Sequence, residues 1–393
     1  MRHAHNSSAG FTLVEMSISA AIGLVLVCSA AQLYTQALRV SLVTSQKAQL
    51  QQDFRAAANL LQRDISMAGA GALGQQGLST SAVGLPAGTG VNPVYPCTGL
   101  TTCNYISGAP VAYPSSAGTP YVYSIIPGPS FGITINAAAG PTDIITINYV
   151  DANMAMNCYV GTMNAAGTQV TFQLPSPLPS TCVLPSTIVT PQPLNDPIVG
   201  LQLGDMVMFG TNAIGVVTGT VSTCTPNPAI TYSACYTVPF AATDPGHVNQ
   251  PSAASGSLKQ YAGAVTPSAV RLLSITYYLA IPPSTGLPTL MRIQNGQLPA
   301  PVAENVVFLK FTYDVYNAGV ITANQATLPA GTTPAMITKV NIAHMSMRSQ
   351  SRDTMSRSAL SNYGGYEGLD LQTSISARNL TSQQDYPIAG SAY

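Results

Sequence analysis

Charged residues are scarce in this sequence, and tryptophan is absent from it. Only 7% of the 393 residues are charged, whereas about a quarter is usual for a globular protein. The 14 basic and 14 acidic side chains balance, so no global field attracts a polyanion such as nucleic acid. An apolar content of 46% argues against disorder, and a surface covered mainly by hydroxyl and amide groups suits an exported protein.

Proline is missing from the first part of the chain. All 30 prolines lie at or beyond Pro86, and residues 11–68 contain a single glycine, Gly23. Proline and glycine are the residues that most disfavour a helix interior, so this stretch predicts one very long helix. At about 1.5 Å per residue, such a helix would be roughly 85 Å long, far longer than a bilayer is thick. Four glycines predict its end: Gly69, Gly71, Gly74 and Gly77.

The two halves of this predicted helix differ in polarity. Residues 11–38 carry no charge except Glu15, which meets the length criterion for a membrane-spanning helix. Residues 39–68 are amphipathic, so we expect this half to leave the membrane and dock on a folded head. Its apolar side chains recur every three or four positions, at Leu50, Phe54, Ala57, Leu61, Ile65 and Ala68.

The remaining residues, 69–393, predict a β-rich head. Runs rich in Val, Ile, Thr and Tyr alternate there with stretches of Pro, Gly and Ser that predict surface loops. Asn295-Gly296 predicts a two-residue hairpin, because both residues tolerate a positive φ. Together with the docking helix, these strands predict an α+β fold. The predicted strands are 121–126, 143–150, 169–174, 205–217, 230–240, 270–281, 290–298, 306–316, 340–348 and 371–378.

The cysteines predict disulfide bonds. Six of the seven lie within residues 80–260, and an even number in an exported region favours disulfides, although six cysteines allow 15 pairings. Short spacings favour pairs of neighbours, each closing a proline-rich loop: Cys97–Cys103, Cys158–Cys182 and Cys224–Cys235. A metal site is disfavoured, since no Cys-x-x-Cys occurs and no histidine adjoins these cysteines. The seventh, Cys28, is expected to be a small buried residue of the helix.

Side chains that could carry catalysis are few. No nucleophile elbow, zinc-protease motif or phosphate-binding glycine loop occurs, and there are only three glutamates, one of them Glu15. Paired-carboxylate chemistry would need scattered aspartates such as Asp143, Asp151 and Asp205. We therefore expect no enzymatic activity and no cofactor. A surface-anchored hydrolase stays as an alternative, which requires two aspartates or His247 to meet in one pocket.

A nucleic-acid partner is not expected either. The nearest approach to a basic patch is Arg348, Arg352 and Arg357, which Asp353 interrupts. Aromatic side chains for base stacking are nearly absent around it. These arginines predict a solvated face.

The residues around the start of the apolar run form a short motif. The segment MRHAHNSSAG ends in glycine and is followed directly by FTLVE. A glycine, an aromatic residue and a glutamate at these offsets resemble the type IV prepilin signature. The resemblance implies that prepilin peptidase removes residues 1–10 by cleavage between Gly10 and Phe11, that Phe11 becomes N-methylated, and that the apolar helix is retained. The leader departs from the pattern in having only one Arg or Lys.

Glu15 is unexpected in an apolar run. A carboxylate inside a membrane costs about 2.5–3.5 kcal/mol on insertion scales, so such groups are usually paired and functional. In the pilin family the matching glutamate meets the terminal amine of a neighbouring subunit. The resemblance therefore implies that Glu15 and the freed amine of Phe11 drive filament assembly. The alternative is an ordinary signal anchor in which Glu15 extends to the lipid headgroups.

Further stretches resemble PilW-type minor pilins of type IV pili. LLQRDISMAGAGALG, from Leu60 to Gly74, is similar to the end of the long helix in that family. In the last third, LLSITYYLAIPPSTGLPTLMRIQNGQLPAPVAENVVFLKFTYDV resembles its paired strands, and VNIAHMSMRSQSRD and TSISARNL resemble its last strands. Residues 261–393 are thus similar to PilW, whereas residues 80–260 resemble nothing we can name. The resemblance implies a long helix packed on an antiparallel sheet.

The resemblance also implies a function and a location. A PilW-type protein would be a minor pilin at or near the pilus tip that primes assembly and supports twitching motility and adhesion. Its partners would be prepilin peptidase, the major pilin, other minor pilins and a tip adhesin. It would lie in the inner membrane before assembly and on the pilus afterwards, with its head in the periplasm or outside the cell. The alternative is a J-type minor pseudopilin of type II secretion, for which the head at 69–393 is large.

Overall fold

The structure is a computed structural model in which the described residues form two compact units. The first unit comprises residues 12–52, and the second comprises the described residues from Asp53 onward. The described residues are 12–71, 82–84, 115–116, 119–135, 140–180, 182–184, 189–210, 213–225, 232–244, 248–249, 257–348 and 368–376.

One helix, α1 (Leu13–Ser66), belongs to both units. Its 54 residues run without a break, which confirms the long helix predicted from the absence of proline. The helix ends where Gly69 adopts a φ of 72°, a left-handed conformation that suits glycine at a helix end. Residues 69–71 then leave α1 as a tight turn.

The first unit consists, among its described residues, of Thr12 and of α1 as far as Gln52. This helix is long and apolar enough to span a membrane by length and composition. Its described apolar side chains from Leu13 to Leu42 are all exposed, and Leu13 is 87% exposed. Cys28 is exposed as well. The prediction that Cys28 is buried is wrong for the single chain, because the neighbouring turns of one helix do not cover its side chain.

The second unit contains the end of α1 and the β-strands. The predicted apolar row is buried from Phe54 to Ala68, and Leu61 and Ile65 are fully buried. The strands are β1 (Ala82–Gly84), β2 (Ser115–Ser116), β3 (Thr119–Tyr123), β4 (Ile125–Gly128), β5 (Ile144–Val150), β6 (Val160–Met163), β7 (Gln169–Pro175), β8 (Met206–Phe209), β9 (Ala213–Val216), β10 (Ser222–Thr223), β11 (Tyr232–Pro239), β12 (Ala269–Ala280), β13 (Thr289–Gln294), β14 (Ala300–Glu304), β15 (Val306–Asn317), β16 (Val320–Gln325), β17 (Ile337–Arg348) and β18 (Gly368–Ser376).

All pairings between the described strands are antiparallel. Four sheets result, with strand orders β1-β3-β2, β10-β11-β7-β6, β14-β13-β12-β5-β4 and β16-β15-β17-β18. The third sheet also contains β8, which pairs with β12 and β9. The helix and the antiparallel sheets confirm the α+β fold class.

The strand predictions differ from the structure in several places. Residues 121–126 contain the end of β3 and the start of β4 rather than one strand, and the short strands β1, β2, β6, β10, β14 and β16 were not predicted. Residues 205–217 form a hairpin, β8 and β9, rather than one strand, because Gly210 turns the chain with a φ of 57°. The hairpin predicted at Asn295-Gly296 is present, because β13 and β14 pair antiparallel and the Gln297 N–H donates to the Gln294 carbonyl at 3.1 Å, but its connection is residues 295–299 instead of two residues. Asn295 does adopt a positive φ, 51°, but its side chain bonds to two other segments, as described below.

The segment at 80–260, predicted to be rich in loops, contributes β1 to β11. Its core contains Phe172 stacked on Phe209, and Phe209 meets Phe240 edge to face. Two disulfides close loops beside this core: Cys158–Cys182 and Cys224–Cys235. They are two of the three pairs that the spacing favoured, while Cys97 and Cys103 lie outside the described residues. The predicted domain boundaries at residues 10, 38 and 68 stay predictions.

Candidate functional site

The beginning of α1 is closed by a reciprocal pair of hydrogen bonds between Thr12 and Glu15. The backbone N–H of Glu15 donates to Thr12 Oγ1 at 3.3 Å. In return, Glu15 Oε2 accepts from the Thr12 backbone N–H at 3.1 Å and from its hydroxyl at 3.0 Å. This is a capping box, in which two backbone donors that a helix leaves unpaired are satisfied by side chains. Gly10 and Phe11 lie outside the described residues.

The capping box gives Glu15 a local role that we did not predict. The motif Thr-x-x-Glu before an apolar run is a sequence signature of a capping box, so the signal was present in TLVE. The cap occupies Oε2 and leaves Oε1 without a partner among the described residues. No lysine or arginine of the described chain pairs with Glu15. Its negative charge is therefore held at the helix start but not neutralised by the described part of the chain.

The end of α1 carries a second carboxylate in a different setting. Asp64 is 2% exposed, and its Oδ2 accepts hydrogen bonds from Tyr277 OH at 2.6 Å and from Arg292 Nε at 2.9 Å. Tyr277 belongs to β12 and Arg292 to β13, so two neighbouring strands hold one helical residue. Burial and the Asp64 carboxylate raise the pKa of Tyr277. Burial alone would lower the pKa of Arg292, but Asp64 and Tyr277 together raise it.

The chain that leaves α1 is joined to β5 by backbone hydrogen bonds. Gly69 N–H donates to the Asn148 carbonyl at 2.9 Å, and Val150 N–H donates to the Ala70 carbonyl at 2.8 Å. Gly71 has a φ of 71°, and a Cβ there would lie 2.9 Å from Val150 Cβ. A glycine is therefore required at this position for both conformation and space. The glycine-rich exit predicted to stop the helix thus also allows the close approach to β5.

A third charged cluster brings two predicted aspartates together. Arg271 of β12 lies between Asp151 and Asp205, forming an ion pair with each, and its Nη1 also donates to the Gly200 carbonyl at 2.8 Å. Asn295 Nδ2 donates to Asp205 Oδ1 at 2.7 Å. Burial raises the pKa of Asp205, against the lowering effects of its hydrogen bonds and of Arg271.

This cluster does not have the form of a paired-carboxylate active site. The guanidinium lies between the two carboxylates, and Asp205 is only 1% exposed, so a substrate would have to displace an ion pair to reach it. Asp143 lies elsewhere, with Lys310 Nζ at 2.7 Å and the Phe311 backbone N–H at 2.9 Å. His247 lies outside the described residues. The side chains instead join segments distant in sequence: Asn295 Oδ1 also accepts from the Ser274 backbone at 2.7 Å.

Ser346, His344 and Asp370 have the residue types of a hydrolase triad but not its geometry. Ser346 Oγ and Asp370 Oδ1 both contact the same ring nitrogen, His344 Nε2, at 2.8 and 3.1 Å. Ser346 also donates directly to Asp370. In a triad, the acid orients the imidazole through its other nitrogen, and the serine oxygen faces the substrate. Ser346 is 2% exposed, so this cluster is a cross-strand network of β17 and β18.

Within the part of the chain that the structure describes, no group of three or more His, Cys, Asp or Glu side chains could hold a metal ion. Of the arginines considered for a basic patch, Arg348 lies at the end of β17, and Arg352 and Arg357 lie outside the described residues.

Comparison with protein-family models, with curated proteins and with solved structures finds no match for this chain.

Proposed function

We propose that this chain is a minor pilin of the PilW type. It is made as a prepilin, held in the inner membrane by the first part of α1, and incorporated at or near the tip of a type IV pilus. There it primes assembly and supports twitching motility and adhesion. Its partners are prepilin peptidase, the major pilin, other minor pilins and a tip adhesin.

The observation that carries this proposal is the form of α1. A membrane crossing needs about 20 residues, whereas α1 has 54, with exposed apolar side chains in its first part and a buried apolar row in the second unit. The exposed side chains between Leu13 and Leu42 must be covered by lipid or by other apolar helices. A pilin uses both covers in turn, lipid before assembly and neighbouring helices in the filament. An ordinary anchor needs only the first.

Glu15 supports the same proposal through its unbalanced charge. The capping box holds the carboxylate at the start of the helix, next to Thr12 and so close in sequence to Phe11. Cleavage after Gly10 would give Phe11 a cationic amine, and the Glu15 Oε1 of a neighbouring subunit could accept a hydrogen bond from it. In an apolar filament core, opposite charges attract more strongly than in water, and an unpaired charge is costly. The pairing would therefore favour entry into a filament over staying in the membrane.

The head supports a position at the tip. The predicted head, residues 69–393, includes strands and disulfide-closed loops in addition to the sheets next to α1. So large a head fits poorly among closely spaced subunits of a shaft, whereas a tip subunit has open space on one side.

The test is the mature N-terminus of the protein made in cells with and without prepilin peptidase. We expect intact-mass and peptide spectra to give a chain that begins with methylated Phe11 in the first case and retains residues 1–10 in the second. The Gly10→Val variant should keep its leader in both, because the peptidase requires the smallest residue there; Ser8→Val is the matched control. A full-length chain in cells with an active peptidase would contradict the proposal.

A further inference from the structure

A shallow cavity that is open to solvent lies on one face of the sheet formed by β15, β16, β17 and β18. Its volume is about 440 Å³, within the range of about 300–1,000 Å³ that is usual for small-molecule sites. None of the side chains that line it is charged or aromatic. Its polar lining consists of hydroxyl and amide side chains: Thr312, Asn324, Asn341, Gln372, Thr373 and Ser374.

Two β-bulges shape this cavity. In β17, Ile342 pairs with Thr373 and Met345 with Leu371, so Ala343 and His344 lie opposite the single residue Gln372. A bulge bends its strand and re-aims side chains, and bulges are frequent beside binding sites.

The second bulge lies across the sheet in β16. Tyr313 pairs with Gln325 and Val315 with Thr322, so Ala323 and Asn324 lie opposite Asp314. Asn324 has a positive φ of 56°, which turns its side chain out of the regular alternation. Both bulges therefore shape the cavity.

Asp314 fixes the two asparagines of the lining. Its Oδ1 accepts from the Asn324 backbone N–H at 2.9 Å and from Asn341 Nδ2 at 3.0 Å. Asn341 Nδ2 also donates to Asn324 Oδ1 at 3.2 Å. These bonds leave Asn341 Oδ1 as an acceptor and Asn324 Nδ2 as a donor without a partner among the described residues. Asn341 is only 9% exposed, so its free oxygen is available from the cavity and hardly from elsewhere.

The remaining polar lining is also free to bind a ligand. Within the described chain, the side chains of Thr312, Gln372 and Ser374 make no hydrogen bond, and they share one face of the sheet, whereas Thr373 points to the other face with its pairing partner Ile342. Together with the asparagines, Thr312, Gln372 and Ser374 present several donors and several acceptors over one cavity. Ala343 adds apolar carbon to the same lining, whereas Ile342 is 1% exposed and its side chain is not available.

We propose that this cavity binds a neutral sugar unit of a glycan. Each sugar hydroxyl both donates and accepts a hydrogen bond, which matches a lining of hydroxyls and amides, and the C–H groups of the sugar can rest on Ala343. An anionic or cationic ligand finds no opposite charge in the lining. Because aromatic stacking is absent, binding depends on a few hydrogen bonds, and we expect a Kd on the order of 1 mM. This inference goes beyond the proposed assembly function and does not depend on it.

The test uses the full-length chain in a detergent without sugar headgroups. The probes are glucose, galactose, mannose and N-acetylglucosamine and their neutral disaccharides, followed by saturation-transfer NMR. We expect saturation of at least one neutral sugar. Gln372→Ala and Ser374→Ala should each weaken its binding about fivefold, the loss expected for one hydrogen bond. Both residues are exposed and unbonded in the sheet, so their replacement leaves the fold unchanged.

The control is Ser376→Ala, an exposed serine of the same strand that does not line the cavity, which should bind as the wild type does. Ala343→Leu should weaken binding by occupying part of the cavity next to Asn341 and Gln372. The inference is overturned if no neutral sugar binds at ten times the expected Kd, or if the Gln372 and Ser374 variants bind as well as the control. Preferential binding of sialylated or sulfated sugars, or of an extended peptide at the β18 edge, would also overturn it. Absence of pili would leave this test unaffected, because it is made on the purified chain.

Discussion

The two units of the chain each contain one end of α1, and each end carries an acidic side chain held in a different way. Asp64 in the second unit is buried and is paired by Arg292 and Tyr277 of the same chain. Glu15 in the first unit is exposed, bonds only to Thr12, and has no cation among the described residues. The second unit therefore provides the cation and the hydrogen bonds that compensate its buried carboxylate. In the first unit, the described residues provide neither a cation for Glu15 nor a cover for the apolar side chains.

The partners of an acidic residue in a helix indicate whether it stabilises the fold or acts in an assembly. A buried carboxylate is tolerated when the same fold provides a cation and hydrogen bonds for it. A carboxylate in a membrane-spanning segment without such partners costs free energy in the isolated chain, so its benefit has to be sought in an assembly. We therefore expect Asp64 to stabilise the fold of the second unit and Glu15 to act in filament assembly. The following predictions separate the two roles.

Loss of the buried pair should have the largest effect on folding. Asp64→Ala leaves the Arg292 guanidinium buried and unpaired, which should lower the free energy of unfolding of the second unit by about 3–5 kcal/mol. Chemical denaturation of the full chain in detergent measures this loss. Asp53→Ala, which removes a half-buried carboxylate of the same helix, is the control and should change little. A loss below about 1 kcal/mol would show that the pair resembles an exposed one.

The disulfides should stabilise the second unit by a smaller amount. Replacing Cys158 and Cys182 by serine opens a loop with a sequence separation of 24, against 11 for Cys224 and Cys235. Loop-closure entropy then predicts losses of about 2–4 kcal/mol for either pair, the longer loop costing roughly 0.6 kcal/mol more. Denaturation of the two double variants tests this order.

The same double variants test whether the two units are stabilised independently. Helical signal from the first part of α1 should be unchanged in them, because both disulfides lie in the second unit. Loss of helical structure in the first part of α1 together with the head would show that the two units are not independently stabilised.

The capping box should have a local and smaller effect. Thr12→Val removes the hydroxyl that accepts from the Glu15 backbone N–H, and loss of such a cap costs about 0.5–2 kcal/mol. Hydrogen exchange in detergent should accelerate for the amides of the first helical turn and stay unchanged around Asp64. Thr12→Ser keeps the hydroxyl and should restore slow exchange. Equal exchange in the Val and Ser variants would disprove the cap.

The smallest expected effect is a pH dependence at Asp205. Burial raises its folded-state pKa above the unfolded value. The sign follows from linkage: this carboxyl binds its proton more tightly when folded, so its contribution to stability is complete below about pH 4 and is lost as the pH rises through the raised pKa. Unfolding free energies measured across that window should show this loss in the wild type. Asp205→Asn should remove it, and an identical slope in both would contradict the assignment.

Local features of α1 and of several strands could be predicted from the sequence. The absence of proline from residues 11–68 predicted a helix that the structure gives as Leu13–Ser66, and the apolar row is buried where the period placed it. Gly210, a turn signal inside an apolar run, was overlooked, and one strand was predicted where a hairpin exists. The Thr12 cap also has a signature in the sequence, the Thr-x-x-Glu motif at residues 12–15, although Glu15 was predicted to act in assembly alone.

Contacts between distant residues could not be predicted. Tyr277 and Arg292 are separated from Asp64 by 213 and 228 positions, and a single sequence does not indicate which cation meets which carboxylate. The same holds for the bulge at Ala343, because it depends on how β17 aligns with both neighbours. Asp151 and Asp205 were named as candidates, but their shared partner Arg271 appears only when the strands are assembled.

The most direct test of the account is the distribution of a Glu15→Gln variant between membranes and fibres. Glutamine keeps an oxygen that can accept from the Thr12 backbone, so the cap survives while the charge is removed. Quantitative immunoblots of membranes and sheared fibres, with Ser17→Ala as the control, give the two amounts. We expect a membrane level equal to the wild type or higher and a fibre level reduced by about tenfold or more, equivalent to about 1.4 kcal/mol or more of lost assembly energy. A wild-type amount of the Gln variant in fibres would contradict the claim that the charge of Glu15 serves assembly.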